Sequence, residues 1–330
     1  MARTDTDASD DRTLRLLVRQ IRFEGRGINS YEFVDPEGAA LPQFTAGAHI
    51  DVHLGDGFVR QYSLSNSPRE RHRYVIAVLR DEAGRGGSKA LHEGLRVQDR
   101  VRVSRPRNNF ELAADAKKVI LIAGGIGVTP LKAMAHQLEE SGVDYEMHYC
   151  AKDASCTAFA NEFEPMQANG KLHFHFDGGK PSAGLDIAGL LIEPRRGEHV
   201  YYCGPGGFMK ACEAATRHWP PGTVHFEHFK VPARPAGEQA EAALDGFMVK
   251  IASTGQEVPV SSDQSIADAL EEAGVYVETS CRAGLCGTCK TRYLSGEVEH
   301  NDCILGDDEK DEFLTTCVSR AKSQVLVLDL

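Results

Sequence analysis

The chain has 330 residues, 42% of them hydrophobic and 26% charged, which is ordinary globular material and enough for two or three separately cored domains. A net charge of −11 argues against a nucleic-acid partner, because phosphate binding draws on clustered Lys and Arg. The polar start MARTDTDASDDR, and the lack of any apolar run near the roughly 20 residues of a bilayer span, predict no membrane partner and a cytoplasmic location.

From about Leu14 to Glu111 the short runs RLLVRQIRF, AHIDVHL, FVRQYSL, RYVIAVL and RVRVS, with a Gly55-Asp56-Gly57 turn, predict a small antiparallel barrel. Within it, Gly84-Arg85-Gly86-Gly87-Ser88 precedes the helical stretch KALHEGL. Glycines there let backbone N–H groups turn onto a phosphate at a helix start, and Ser88 adds a hydroxyl; a plain glycine-rich hairpin loop is the alternative.

At Val119 the pattern changes to VILIA, a continuous apolar run of the kind buried on both faces of a parallel sheet. Gly124-Gly125-Ile126-Gly127-Val128-Thr129-Pro130 follows, then a helix striped by Leu131, Met134 and Leu138 and stopped at Gly142. This is not the full dinucleotide fingerprint, since Pro130 stands at the third glycine, but strand, tight turn and helix is the context that places a pyrophosphate on a helix N-terminus. YEMHYC, LHFHF and HVYYC complete an α/β domain. The stretch Val231 to Gly246 has no apolar periodicity and reads as a linker. A third unit opens with a hairpin over MVKIAS and VPV, continues with a helix over SIADALEEAG and closes on QVLVLDL. The expected division is 1–112, 113–231, a linker at 232–245, and 246–330.

The cysteines carry the sharpest signal. Nine is an odd count, poor for a disulfide framework. Cys281-x4-Cys286-x2-Cys289 with Cys317 further on is the plant-type [2Fe-2S] spacing. A structural zinc site is the alternative, but zinc favours two short C-x2-4-C pairs rather than three ligands together and one alone. Cys303 reads as a free thiol, and Cys150, Cys156 and Cys212 as packing residues.

The order of barrel, nucleotide domain, linker and C-terminal ferredoxin resembles the phthalate dioxygenase reductase family, the reductase partners of Rieske-type aromatic oxygenases, over nearly the whole chain. The resemblance implies FMN rather than FAD, held along Arg60-Gln61-Tyr62-Ser63 with Arg60 at the phosphate, Tyr62 along the ring and Ser63 near N5. Ala77 and Val78, and Gly86, Gly87 and Ser88, complete that set. Leu79 stands where some relatives carry a basic residue, which bears on flavin potential.

It further implies that Gly125, Gly127, Thr129 and Pro130, with Cys203, Gly204 and Pro205, hold the nicotinamide cofactor, Cys203 lying against the reacting ring. Ser63, Cys203 and Glu227 are the expected catalytic group, and Phe229 lies near the flavin. Ala151-Lys152-Asp153 offers one cation where a 2′-phosphate calls for more, which favours NADH, with Asp177 as a ribose contact; Lys152 keeps NADPH open.

Hydride arrives as two electrons and a [2Fe-2S] cluster takes one, so the flavin converts between them on the way to a terminal oxygenase. The family suggests a monomer. The run Glu297 to Glu312, with eight acidic residues against one lysine, is either a docking face for a basic partner or a solvated loop. Competing readings keep the same electron chain but serve a cytochrome P450 or a quinone, or make the iron-sulfur part a redox-sensing or carrier module.

Overall fold

The computed structural model describes residues 13–54, 59–84, 86–230, 246–306 and 308–330. The Gly55-Asp56-Gly57 turn, Arg85 and the linker expected at 232–245 lie outside the described residues. Two compact units result, Met1–Glu227 and His228–Leu330.

The first unit contains two sheets. Strands β1 (Thr13–Gly25), β2 (Ile28–Val34), β3 (His49–His53), β4 (Val59–Ser63), β5 (Tyr74–Leu79) and β6 (Arg100–Ser104), with helix α1 (Gly87–Gly94), make an antiparallel sheet in the order β4-β3-β6-β1-β2-β5. Its end strands β4 and β5 come together and close the barrel. Alternation drives this: Leu16 and Val18 of β1, Tyr31 and Phe33 of β2, and Ile50 and Val52 of β3 all turn inward to one core. No apolar run announces β2, because Asn29, Ser30 and Glu32 break its sequence; hydrogen bonding to β1 and β5 makes it a strand.

The second sheet is parallel, built from β7 (Lys118–Gly124), β8 (Asp144–Ala151), β9 (Leu172–Phe176), β10 (Glu198–Cys203) and β11 (Val224–Glu227) in the order β11-β10-β7-β8-β9. Helices α2 (Val128–Ser141), α3 (Ala160–Ala168), α4 (Ile187–Leu190) and α5 (Gly206–Thr216) intervene. VILIA is buried on both faces as its composition requires: Val119 and Leu121 join the core under α2, whereas Ile120 and Ile122 join the core under α5. Gly142 ends α2 with a left-handed φ of 72°. The chain leaves β7 towards β8 on one side and returns to β10 on the other, so the strand order reverses between β7 and β10. In open α/β sheets that reversal opens a crevice at the carboxyl ends of the strands.

The second unit has a sheet ordered β13-β12-β18-β14-β16, from β12 (Gly246–Ile251), β13 (Glu257–Ser261), β14 (Lys290–Ser295), β16 (Phe313–Thr315) and β18 (Val325–Leu328). Strands β15 (Val298–Glu299) and β17 (Arg320–Ala321) form a small ribbon. Helix α6 (Ile266–Glu272) is capped by Ser265 Oγ, which accepts from Asp268 N, and buries Ile266, Ala269 and Leu270 against the sheet. This is a β-grasp: an expected hairpin, β12 and β13, with the C-terminal strand β18 laid parallel to β12.

Candidate functional site

In the second unit the four expected ligands come from one loop and one strand end. Cys281, Cys286 and Cys289 lie on the loop between α6 and β14, and Cys317 follows β16. Thr316 N donates to Cys289 O at 3.2 Å and Ala267 N to Thr316 O at 2.9 Å, so backbone bonds tie the distant ligand to the loop and to α6. The Cys289 thiol donates to Cys317 Sγ at 3.2 Å, and Cys281 and Cys286 are hydrogen-bonded to each other. Leu285 N points at Cys281 Sγ from 3.4 Å, and the Cys286 thiol donates to Thr288 Oγ1 at 3.2 Å.

The hydrogen bond from Cys281, against the upward push of burial, lowers the Cys286 thiol to about 5, while its partner Cys281 is raised. Each pair thus holds one sulfur readily ionised, and thiolate is the form that binds iron. Two pairs of sulfurs suit two irons with two cysteine ligands apiece. The donor set therefore fits the cluster better than zinc.

Sequence reading missed what shapes this loop. Arg282 has φ 46°, a left-handed conformation that only glycine adopts freely, and its guanidinium is clamped by Asp268 (2.7 Å) and Glu271 (2.6 Å) of α6. Gly284, at φ 68°, sits where a Cβ would fall 2.9 Å from Asp302 Cα. The signal for Arg282, an Asp and a Glu three apart on a helix, is too common to be read without the fold. Cys303 lies aside as a half-buried free thiol.

In the first unit the expected residues gather where barrel and parallel sheet meet. Arg60 to Ser63 lie on β4, with Gln61 opposite Asp51. The Arg60 side chain covers Gly87, where a Cβ would be 2.4 Å from Arg60 Nε. The guanidinium thus lies against the start of α1, whose cap Gly86 has φ 83°. A guanidinium beside exposed helix-start N–H groups fits a phosphate. Ser88 Oγ accepts from Asp81 N at 3.1 Å, which shapes the loop. Tyr62 is half-buried, and burial raises its phenol.

The glycine turns lie at the carboxyl ends of β7 and β10, where the strand order reverses. Beyond β7, Gly125 opens a single 3₁₀ turn to Gly127 with φ 54° and open space where a Cβ would stand, and Thr129 Oγ1 donates to Ile126 O at 3.1 Å. Gly127 is pressed on the end of β10, a Cβ there falling 2.2 Å from Cys203 O, and Gly124 meets Pro205 and Phe208. Pro130 is buried in the first turn of α2. The turns at 125–127 and 203–205 are thus packed against each other.

Cys203 is fully buried and opposite Glu227 in the β10–β11 register. Ser63 Oγ donates to Glu227 Oε2 at 3.3 Å, so strands of both sheets converge on one group. Burial raises Glu227 to about 7, with the Ser63 hydrogen bond pulling the other way. Burial, then the Glu227 carboxylate, raises Cys203 well above an ordinary thiol.

Four expected residues join less directly. Val78 points into the barrel core and its carbonyl accepts from His92 Nε2 at 2.9 Å, while its neighbour Ala77 faces the nucleotide sheet's core. The Asp177 carboxylate accepts from Gly179 N at 2.6 Å in its own turn, where Gly178 N donates to Lys152 O. Phe229 belongs to the second unit and is 38% exposed.

A flavin-type strand, a nucleotide crevice and a paired-thiol loop on one chain define an electron-transfer oxidoreductase. Residues 249–322 match the 2Fe-2S iron-sulfur cluster binding domain family. Over 96% of this chain and 96% of its own length, the tert-butanol monooxygenase / tert-amyl alcohol desaturase reductase subunit of Aquincola tertiaricarbonis is 55% identical. A vanillate O-demethylase oxidoreductase of Pseudomonas sp. (strain HR199 / DSM 7063) is 44% identical over 96% of this chain and all of its own. The solved phthalate dioxygenase reductase, described as a modular structure for electron transfer from pyridine nucleotides to [2Fe-2S], superposes with a TM-score of 0.72 at 42% identity, covering 97% of this chain and 98% of that one. This chain belongs to the phthalate dioxygenase reductase family. No helix among the described residues is long and apolar enough to cross a membrane.

Proposed function

We propose that the protein is the NADH-dependent reductase component of a Rieske-type aromatic oxygenase, a ring dioxygenase or O-demethylase, and passes electrons from NADH through FMN and a [2Fe-2S] cluster to that oxygenase. The observation that carries the proposal is the meeting of Ser63 from the barrel with Glu227 and Cys203 at the carboxyl end of the parallel sheet. When bound, FMN takes the two electrons of a hydride and releases them singly, and the cluster accepts one at a time.

The chain's own residues bind, orient and hold protons. Arg60 with the Gly86, Gly87 and Ser88 backbone takes the flavin phosphate, and Gln61, Tyr62 and Ala77 flank the ring, with Val78 setting Ala77's position from behind. Ser63 and Glu227 hold a proton beside the reacting edge, and a carboxyl near 7 both gives and takes one at neutral pH. Gly125, Gly127, Thr129 and Pro130 face the pyrophosphate, Cys203, Gly204 and Pro205 the nicotinamide, and Asp177 the ribose, with Phe229 as a further cofactor residue. Cys281, Cys286, Cys289 and Cys317 ligate the cluster.

The working division is a flavin domain at 1–112, a nucleotide domain at 113–231, a linker at 232–245 and a ferredoxin domain at 246–330, in a cytoplasmic monomer. The Glu297 to Glu312 face docks the oxygenase, although Lys290 and Arg292 already pair with Glu309 and Glu312 there. An anaerobic titration with NADH, read by visible absorbance and low-temperature EPR, tests the internal chain: flavin bleaching with a reduced [2Fe-2S] signal supports it, and bleaching without that signal overturns it. Reduction of a purified Rieske oxygenase, set against a P450 and a quinone, tests the partner.

A further inference from the structure

Lys132 is a lysine where a reductase of this kind has no evident need of one. It lies on α2, two residues past Pro130, and is only 4% exposed. A buried ammonium is costly unless its charge and its donors are all used. Here they are: Nζ donates to Ser65 O at 3.1 Å, pairs with Glu162 Oε2 of α3 at 2.9 Å, lies 3.4 Å from His136 Nε2, and stands over the Phe159 ring at 4.8 Å.

The Ser65 contact links the two halves of the site. Ser65 follows Ser63 by two residues, is fully buried, and is itself anchored to β5 through Val75 O, which accepts from both Ser65 N (2.8 Å) and Ser65 Oγ (3.0 Å). On the other side, Lys132 rides the helix whose first turn carries Thr129 and Pro130. The segment after β4 then runs on along α2, where Glu140 accepts from Ser67 Oγ (3.1 Å) and pairs with Arg69 (2.8 Å). Those later contacts are exposed and weakly worth counting, whereas the one nearest the site is buried.

We propose that Lys132 is a positioning residue for hydride transfer: by holding the Ser65 carbonyl it fixes the Arg60–Ser63 strand against the Gly125–Pro130 turn. The proposal rests on the reading of those segments as flavin and nicotinamide sites. It predicts a loss of rate beyond any loss of fold, because Glu162 is 40% exposed and is hydrated once its partner is gone, so no charge is left buried and unpaired, whereas a reacting pair displaced by about 1 Å loses on the order of 100-fold in rate.

The test uses the full-length holoprotein as wild type, Lys132→Met and Lys132→Arg. In stopped-flow mixing with NADH, the methionine variant keeps its flavin and its NADH affinity while the flavin-bleaching rate constant falls at least ~10-fold, and arginine, which keeps a donor and a charge, restores most of it. Hydrogen–deuterium exchange of the same holoproteins, measured without NADH, rises across residues 64–67 in the methionine variant alone. A wild-type bleaching rate in Lys132→Met, or a loss accompanied by an equal loss of thermal stability and not recovered by arginine, overturns the proposal. Should wild type itself fail to bleach, the functional reading falls instead, and unchanged exchange at 64–67 overturns the Ser65 tie by itself.

Discussion

Ser63 Oγ and Glu227 Oε2 lie 3.3 Å apart although 164 residues separate them in the chain, and their bond joins a barrel strand to the last strand of the parallel sheet. Ser63 is buried and Glu227 half-buried, and burial leaves the carboxyl near 7. NADH-dependent ferricyanide reduction is therefore expected to show an inflection close to pH 7. Glu227→Gln removes it and lowers the rate by roughly 100-fold, the lower end of what a positioned acid or base contributes. The sign for stability runs the same way: a carboxyl whose folded pKa lies above its unfolded value stabilises at low pH and loses that contribution as pH rises from about 4.5 to about 7. A glutamine there flattens that part of the melting-temperature profile.

Replacing Cys317 with serine removes one member of the Cys289–Cys317 pair and is expected to abolish the [2Fe-2S] EPR signal. Cytochrome c reduction then drops by more than roughly 100-fold, since even an outer partner of a metal ligand is worth 10 to 100-fold. Ferricyanide reduction persists. Cys303→Ser, aimed at a free thiol, leaves both the signal and the activity in place; a lost signal there would reassign the fourth ligand.

Gly127 has no room for a side chain, because a Cβ would stand 2.2 Å from Cys203 O, a backbone atom that cannot swing aside. Gly127→Ala forces the two turns apart and costs about 1–3 kcal/mol of stability. NADH affinity falls with it, while flavin content, measured by absorbance after gel filtration, is retained.

His49 is 1% exposed, and neither of its ring nitrogens has a hydrogen-bond partner. Burial, then the neighbouring Arg107, holds it down to about 4, against Asp51. A base whose folded pKa lies below its unfolded value stabilises above about 6.5, and that contribution is lost as pH falls towards about 4. The loss amounts to up to about 3 kcal/mol. His49→Leu is expected to shrink the drop in melting temperature between pH 7 and pH 4.5; an unchanged drop places the acid sensitivity elsewhere, His136, His148 and His225 being held near 4 as well.

What the sequence made legible was local or periodic. VILIA followed by glycines reads as a buried strand and turn, and the cysteine spacing foretells a cluster loop, because both are written in consecutive residues. Strand β2 was not, since its polar residues carry no apolar rhythm and pairing on both sides sets its conformation. Ile28, Ala46 and Ala77 of the barrel pack into the same core as Val119 and Met134 of the nucleotide sheet, so barrel and sheet make one compact unit. Contacts between residues so far apart in the chain leave no mark in composition. The grip of Arg282 on α6 and of Lys132 on Ser65 belongs to the same class: a charged residue in a sequence reads as surface until the fold supplies its partners.

Cys203 ends β10 with its sulfur sealed from solvent and its thiol held protonated by burial and by Glu227. Peroxide and electrophiles attack thiolates that they can reach, and this sulfur offers neither ionisation nor access. A protein handling low-potential electrons in air is exposed to the oxidants such electrons generate. The same packing that lays a soft atom at the end of β10 also spares it from that chemistry.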